Sequence, residues 1–294
     1  MGYQPSHVKK ILPIKGGACT KYRSYEYFLT YSVFSAEYGQ VSLKIENLKL
    51  KNIGVTMTFN ISIINIKEGD QKYYRDNSWC LYAFKFCDGK GAPGYVPTWF
   101  ALQPKHWSTN IDIFYKPTYS VFYNKFIKVS DDTIIRTSTR TDAIPLGSKV
   151  LLNENNRLEV KEEGRGAGPI VVTNQSASGR ALLGLTGPSE AHVDDNAPFA
   201  VFDVAADNIL TMEPIEKVLI FLAAVNVQQG IIRSNIFAPG VLIDLTAFSA
   251  ADNPEVKLLL DRDNNGLTAA DNDSNKMLTE VSSQTALSVF GPKR

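Results

Sequence analysis

Between residues 55 and 63 the chain alternates strictly: Val55, Met57, Phe59, Ile61 and Ile63 are apolar, and Thr, Asn or Ser stands between them. A period of two places every apolar side chain on one face of an extended backbone, whereas a helix would scatter them around its axis. Val41, Leu43 and Ile45 follow the same rule. Five further segments are rich in β-branched and aromatic residues and are bounded by Gly, Pro, Asn or Asp clusters: YFLTYSVF (27–34), WCLYAFKF (79–86), IDIFY (111–115), YSVFYNKFIKV (119–129) and TIIRT (133–137). No long amphipathic helical stretch separates them. The pattern predicts a sandwich, barrel or jelly roll for the first half.

The second half reads differently. PIVV (169–172), FAVFDV (199–204) and NIFAPGVLIDL (235–245) predict buried strands. EPIEKVLIFLAAVNVQQG (213–230) fits either a helix, with Pro near its start and Gly at its end, or a core strand, because its centre is apolar on every side. Asn253-Pro254-Glu255 has the form of a capped helix start, and an amphipathic helix is expected over roughly 274–289.

Charge divides the chain more sharply than hydrophobicity does. Residues 1–150 carry 20 Lys/Arg against 11 Asp/Glu, a net +9, and residues 151–294 carry 11 against 19, a net −8. All thirteen tyrosines and all three tryptophans lie before residue 124. The junction predicted from this shift is LNENNRLEVKEEGRGAGP (152–169), which combines turn residues, a charge cluster and three glycines. The expected organisation is therefore mainly β: a basic, aromatic-rich β-sandwich or jelly-roll domain over 1–151, a linker over 152–169, and an acidic β-rich domain with a few short helices over 170–294. Two such units in series would have the plan of a double jelly roll.

The start of the chain has no apolar stretch of signal-peptide length, and the longest apolar run, VLIFLAAV (218–225), is far short of the ~20 residues a membrane helix needs. A soluble chain, intracellular at synthesis, is expected. Cys19, Cys80 and Cys87 are an odd set without CxxC spacing, which argues for buried thiols rather than a disulfide framework or a zinc knuckle.

The catalytic inventory is sparse. His7, His106 and His192 show no metal-ligand spacing, and neither a GxSxG elbow nor a P-loop is present. GRGAGP (164–169) precedes a predicted strand, where a dinucleotide fingerprint would follow one. No catalytic residue is assigned, and the chain is not expected to be an enzyme. Two non-catalytic sites are candidates. In PGYVPTWFALQPKHW and just beyond it, Trp99, Trp107 and Tyr115 could offer ring faces to a sugar, as in a lectin-like carbohydrate-binding protein, although most large aromatics pack a core. In DRDNNGLTAADN (261–272), Asp261, Asp263, Asn265 and Gly266 match the first half of a calcium loop, and Asp271 falls one place short of the closing carboxylate. That loop is a candidate structural calcium site, set against a plain polar turn. No other cofactor is expected.

The segment YSVFYNKFIKVS (119–130), preceded by GQVSLKIENLKLKNIGVTMTFNISI and WCLYAFKF, resembles the strand pattern of jelly-roll capsid proteins of small viruses. Tyr119, Val121, Tyr123, Asn124 and Lys125 fall on the matching places, and the resemblance spans residues 25–135. It implies a structural subunit that assembles into a large homo-oligomer and resides in a virion. The chain lacks the arginine-rich N-terminal arm of the single-stranded-DNA virus members, so any nucleic-acid contact would be made by other means. Head-to-tail packing of the basic half of one copy on the acidic half of the next would supply the repeated contact such an assembly needs.

Overall fold

The computed structural model describes residues 59–115, 117–187, 197–224, 228–232, 239–248 and 254–281. The chain divides into two compact units, Met1–Gly54 and Val55–Arg294. All the described residues belong to the second. The strands expected at 27–34 and 41–45 lie outside the described residues.

The elements run β1 (Phe59–Ile63), α1 (Glu68–Asp76), β2 (Cys80–Lys90), β3 (Gly94–Tyr95), β4 (Phe100–Leu102), β5 (Ile111–Tyr115), β6 (Ser120–Lys125), β7 (Thr139–Arg140), β8 (Lys149–Leu152) and β9 (Leu158–Glu162). They continue with β10 (Ile170–Asn174), β11 (Arg180–Gly187), β12 (Ala197–Ala205), β13 (Ile209–Ala223), β14 (Gly240–Asp244), β15 (Glu255–Asp261), β16 (Gly266–Ala269), α2 (Asn272–Lys276) and β17 (Leu278–Val281). The protein is mainly β, as its period-two segments predict. No helix among the described residues is long and apolar enough to cross a membrane.

Three sheets form. One has the order β16-β15-β1-β5, a second β17-β14-β13-β10-β8-β9 with β2 on β13 and β4 on β2, and the third β3-β12-β11-β6-β7. β1 runs parallel to β15 and β8 parallel to β10; the other strand pairs among the described residues are antiparallel. Each sheet therefore takes strands from both sides of residues 152–169, and the expected boundary there does not divide two domains. Nor is that segment a linker. It holds β9, which pairs with β8, and Gly164 packs so closely on the preceding turn that a Cβ there would lie 2.0 Å from the Leu146 carbonyl oxygen. Glycine and charge are the composition of a linker and equally of an exposed hairpin followed by a tight return.

Strand β13 resolves the ambiguity at 213–230. It is a 15-residue strand whose centre is apolar on every side because both of its faces are covered. Val218, Ile220 and Leu222 enter the large core with Leu81 and Ala83 of β2, while Leu219, Phe221 and Ala223 join Tyr82, Phe84 and Phe86 in a second core on the opposite side. A two-sided strand has no amphipathic period to detect. The large core also contains Phe59, Val121, Leu183, Phe199 and Val256, so all three sheets contribute to it. Each such side chain, fully buried, contributes about 1.5–3 kcal/mol.

Other expectations change locally. Pro254 precedes a strand rather than a helix: its carbonyl accepts from the Asn60 amide at 3.2 Å as β15 docks beside β1. The helix expected over 274–289 stops at Lys276, and Leu278–Val281 form β17 on β14. TIIRT makes one isolated bridge, Ile134 to Ile231, instead of a strand.

Candidate functional site

The most chemically distinctive place in the described fold is a lysine in the core. Lys85 is only 2% exposed and sits within β2 between Phe84 and Phe86. By strand parity it lies on the face of Leu81 and Ala83, aimed into the large core. Its Nζ lies 3.0 Å from Glu216 Oε2, and the Tyr119 hydroxyl donates a hydrogen bond to the other carboxylate oxygen, Oε1. Three aromatic rings surround the ammonium, with centroids 5.1 Å (Tyr119), 5.6 Å (Phe199) and 5.9 Å (Trp99) from Nζ.

An irregularity in the sheet makes the contact. On β13, Ile215 pairs with Phe86 but it is Val218 that pairs with Lys85, so Glu216 and Lys217 form a bulge. Bulges re-aim side chains and recur beside functional sites. Here Glu216 turns toward Lys85, while Lys217 makes an ion pair with Asp244 at 2.6 Å. The bulge is fastened from just beyond β14, where the backbone amide of Leu245 donates to the Glu216 carbonyl at 2.9 Å. Tyr119 is brought in at the start of β6 by its backbone bridge to Ile144.

Burial is the largest influence on Lys85 and holds its ammonium below the ordinary lysine value, with the Glu216 carboxylate pulling in the opposite direction. Taking two ions out of water costs several kcal/mol each, and only close pairing and hydrogen bonding offset it. The cation–π contacts add about 0.5–2 kcal/mol each. The arrangement thus holds an amine, a carboxyl and a hydroxyl donor within hydrogen-bond reach of one another, with the amine in the core and the Glu216 carboxylate, 18% exposed, at its margin.

Trp99 is fully buried, its indole Nε1 donating to the Gly187 carbonyl at 3.3 Å, and its ring is one wall around Lys85. Trp107 is 6% exposed, donates to the Leu102 carbonyl at 3.2 Å and packs on Tyr74 with ring centroids 5.4 Å apart. Neither ring presents a face to solution, so the sugar-stacking role is corrected to core packing. Tyr115 pairs through its backbone with Phe59, and its side chain lies outside the described residues.

The 261–272 loop is a β-hairpin turn. Asp261 pairs with Gly266, and Asp261 Oδ1 accepts from the amides of Asp263 and Asn264, each at 3.1 Å. Asn265 takes the left-handed conformation, φ 50°, and its Oδ1 accepts from the Tyr73 hydroxyl of α1 at 3.2 Å. Asp271 instead caps α2, accepting from the Ser274 amide at 2.7 Å. It follows Ala270, which bonds to Lys257, and so lies at the opposite end of β15 from Asp261, roughly 13 Å away at strand rise. Asp261, Asp263 and Asn265 share one turn, in which the Asp261 and Asn265 oxygens are engaged by the Asp263 and Asn264 amides and by Tyr73, and Asp271 lies apart from them.

One signal for the Lys85 site is present in the sequence: a lone lysine inside the apolar run WCLYAFKF. Its partners carry none, because Tyr119 and Glu216 are 97 residues apart and Lys85 and Glu216 131. No family model matches this chain, and neither a curated protein nor a solved structure is significantly similar to it.

Proposed function

We propose that this chain is a structural assembly protein, a capsid-type subunit that forms a large homo-oligomer. The observation that carries this reading is the division of the chain into a basic N-terminal unit and a β body. Met1–Gly54 holds 8 Lys/Arg against 3 Asp/Glu, a net +5, and Val55–Arg294 is left with a net −4. A body with strands paired across more than a hundred residues resists the distortions that lattice contacts impose. A separate cationic unit suits an acidic partner such as nucleic acid, through lysines rather than an arginine-rich arm, since Arg23 is its one arginine. In this role the chain would reside in the virion.

The contact expected from the sequence, basic half against acidic half between copies, is partly used up within one chain. Lys85 pairs with Glu216 and Lys149 with Glu162, each joining the two halves internally. The opposite charges of the Met1–Gly54 and Val55–Arg294 units are the better source of attraction between copies. Size-exclusion chromatography with electron microscopy tests the proposal. Closed particles or high oligomers at low salt are expected, and a strictly monomeric species at every salt concentration and pH would sink it.

A further inference from the structure

We propose that Lys85 and Glu216 are the precursors of an intramolecular amide cross-link that joins β2 to β13. The inference goes beyond the assembly role and stands on the geometry of the enclosure alone. Nζ and Oε2 are 3.0 Å apart, with β13 bulged at the residue that supplies the carboxyl. Reactants held at this separation in a fixed orientation reach effective molarities on the order of 10⁵–10⁸ M, which compensates for the sluggishness of amide formation from an amine and an acid. In water that condensation is opposed chiefly by the hydration of the two ions. Here Lys85 is 2% exposed and ringed by Trp99, Tyr119 and Phe199, and the Glu216 side chain is 18% exposed, so that opposition is largely removed for the amine and reduced for the carboxylate.

The chemistry balances without an oxidant, a metal or a co-reactant. Nζ transfers one proton to Oε2, which gives a neutral amine and a neutral carboxylic acid. The amine then adds to Cδ, and charge develops on Oε1, the oxygen that already accepts the Tyr119 hydroxyl hydrogen bond. Tyr119 thereby occupies the place of an oxyanion donor. A second proton passes from nitrogen to Oε2, the Cδ–Oε2 bond breaks, and one water leaves. Nζ keeps one hydrogen, and Oε1 remains as the amide oxygen under Tyr119. The link closes a loop between residues 131 positions apart.

Mass spectrometry of the folded, purified full chain tests the cross-link directly. The expected result is an intact mass short by one water and, after trypsin, a branched peptide joining the Lys85 and Glu216 segments. Lys85→Met and Glu216→Ala should each restore the full mass and abolish the branched peptide, and Tyr119→Phe should slow its appearance after refolding. A full intact mass in the folded parent chain, with the Lys85 and Glu216 peptides recovered unlinked, overturns the proposal. So does a missing water that maps to Asp88-Gly89 as a succinimide. The parent chain alone is decisive if the variants fail to fold, and the link can be present or absent whether or not the chain assembles.

Discussion

Two charged regions of this protein differ in a way that matters for function: the Lys85–Glu216–Tyr119 cluster in the core and the Asp261–Asp271 stretch at the β15–β16 hairpin. The hairpin is conspicuous in sequence, with Asp, Asn and Gly at suggestive spacing. In the fold its polar groups mostly serve the backbone next to them, Asp261 through the amides of Asp263 and Asn264 and Asp271 through that of Ser274. The core cluster is inconspicuous in sequence, and its three groups come from β2, β13 and the start of β6. Yet it is the place where removal from water gives charge a large energetic consequence. Locally satisfied oxygens make a turn, whereas groups gathered from distant strands and drawn out of water couple strongly to one another.

The largest effect is expected from removing one member of the core pair. Glu216→Ala leaves the Lys85 ammonium buried without its counter-ion and should lower stability by about 3–5 kcal/mol in chemical denaturation, and Lys85→Met, which leaves the part-exposed Glu216 carboxylate with the Tyr119 hydrogen bond, should cost less. The joint replacement Lys85→Met/Glu216→Leu removes both charges and should recover much of that loss, but it also lacks the cross-link and should stay below the cross-linked parent. Single variants within about 0.5 kcal/mol of the parent, the range of ordinary surface changes, would place the cluster in the same class as the hairpin.

A smaller effect comes from a buried group that lacks a partner. The Tyr74 hydroxyl has no hydrogen bond among the described residues, and burial, its chief influence, pushes its pKa up to about 12. Tyr74→Phe should therefore stabilise the protein by about 1 kcal/mol. Because the folded value is raised, the Tyr74 contribution is intact below the ordinary tyrosine value of 10.0 and is lost as pH climbs toward about 12. The advantage of the Phe variant should widen over that interval, and denaturation series at matched pH would record it.

The hairpin should give the smallest changes. Hydrogen bonds from Asn264 hold the Asp261 carboxyl below its ordinary value of 3.8, and those from Ser274 do the same for Asp271. Groups lowered in this way stabilise the fold above the ordinary carboxylate range and lose that contribution as pH falls through the folded value. Asp261→Ala and Asp271→Ala should each lower the melting midpoint slightly at neutral pH, with the difference from the parent vanishing in acid. A loss as large as that of Lys85→Met would reverse the ranking of the two regions.

How much of the fold is legible in the sequence depends on range. The alternation ending at Phe59, Ile61 and Ile63 and the aromatic runs at 79–86 and 119–129 reveal the β class, since strand character is set by neighbouring residues. Helix α1 leaves no such trace, because EGDQKYYRD buries only Tyr74 and has no apolar stripe. The boundary expected at 152–169 fails because composition changes along the chain while pairing ignores it: β6 joins β11, and β2 joins β13. Trp99 stands out in the sequence for its ring, but its place beside Lys85 depends on β2 and β4 folding together.

The parallel pairing of β1 with β15 also has a temporal consequence. Asn60 meets Glu255 across 195 residues, so on a ribosome adding about 5–20 residues per second β1 waits on the order of 10–40 s for β15. During that wait its edge is open to other chains. Nascent copies on one message can meet before any has closed, and synthesis of this protein should depend on holding factors and on low temperature more than its final stability would suggest.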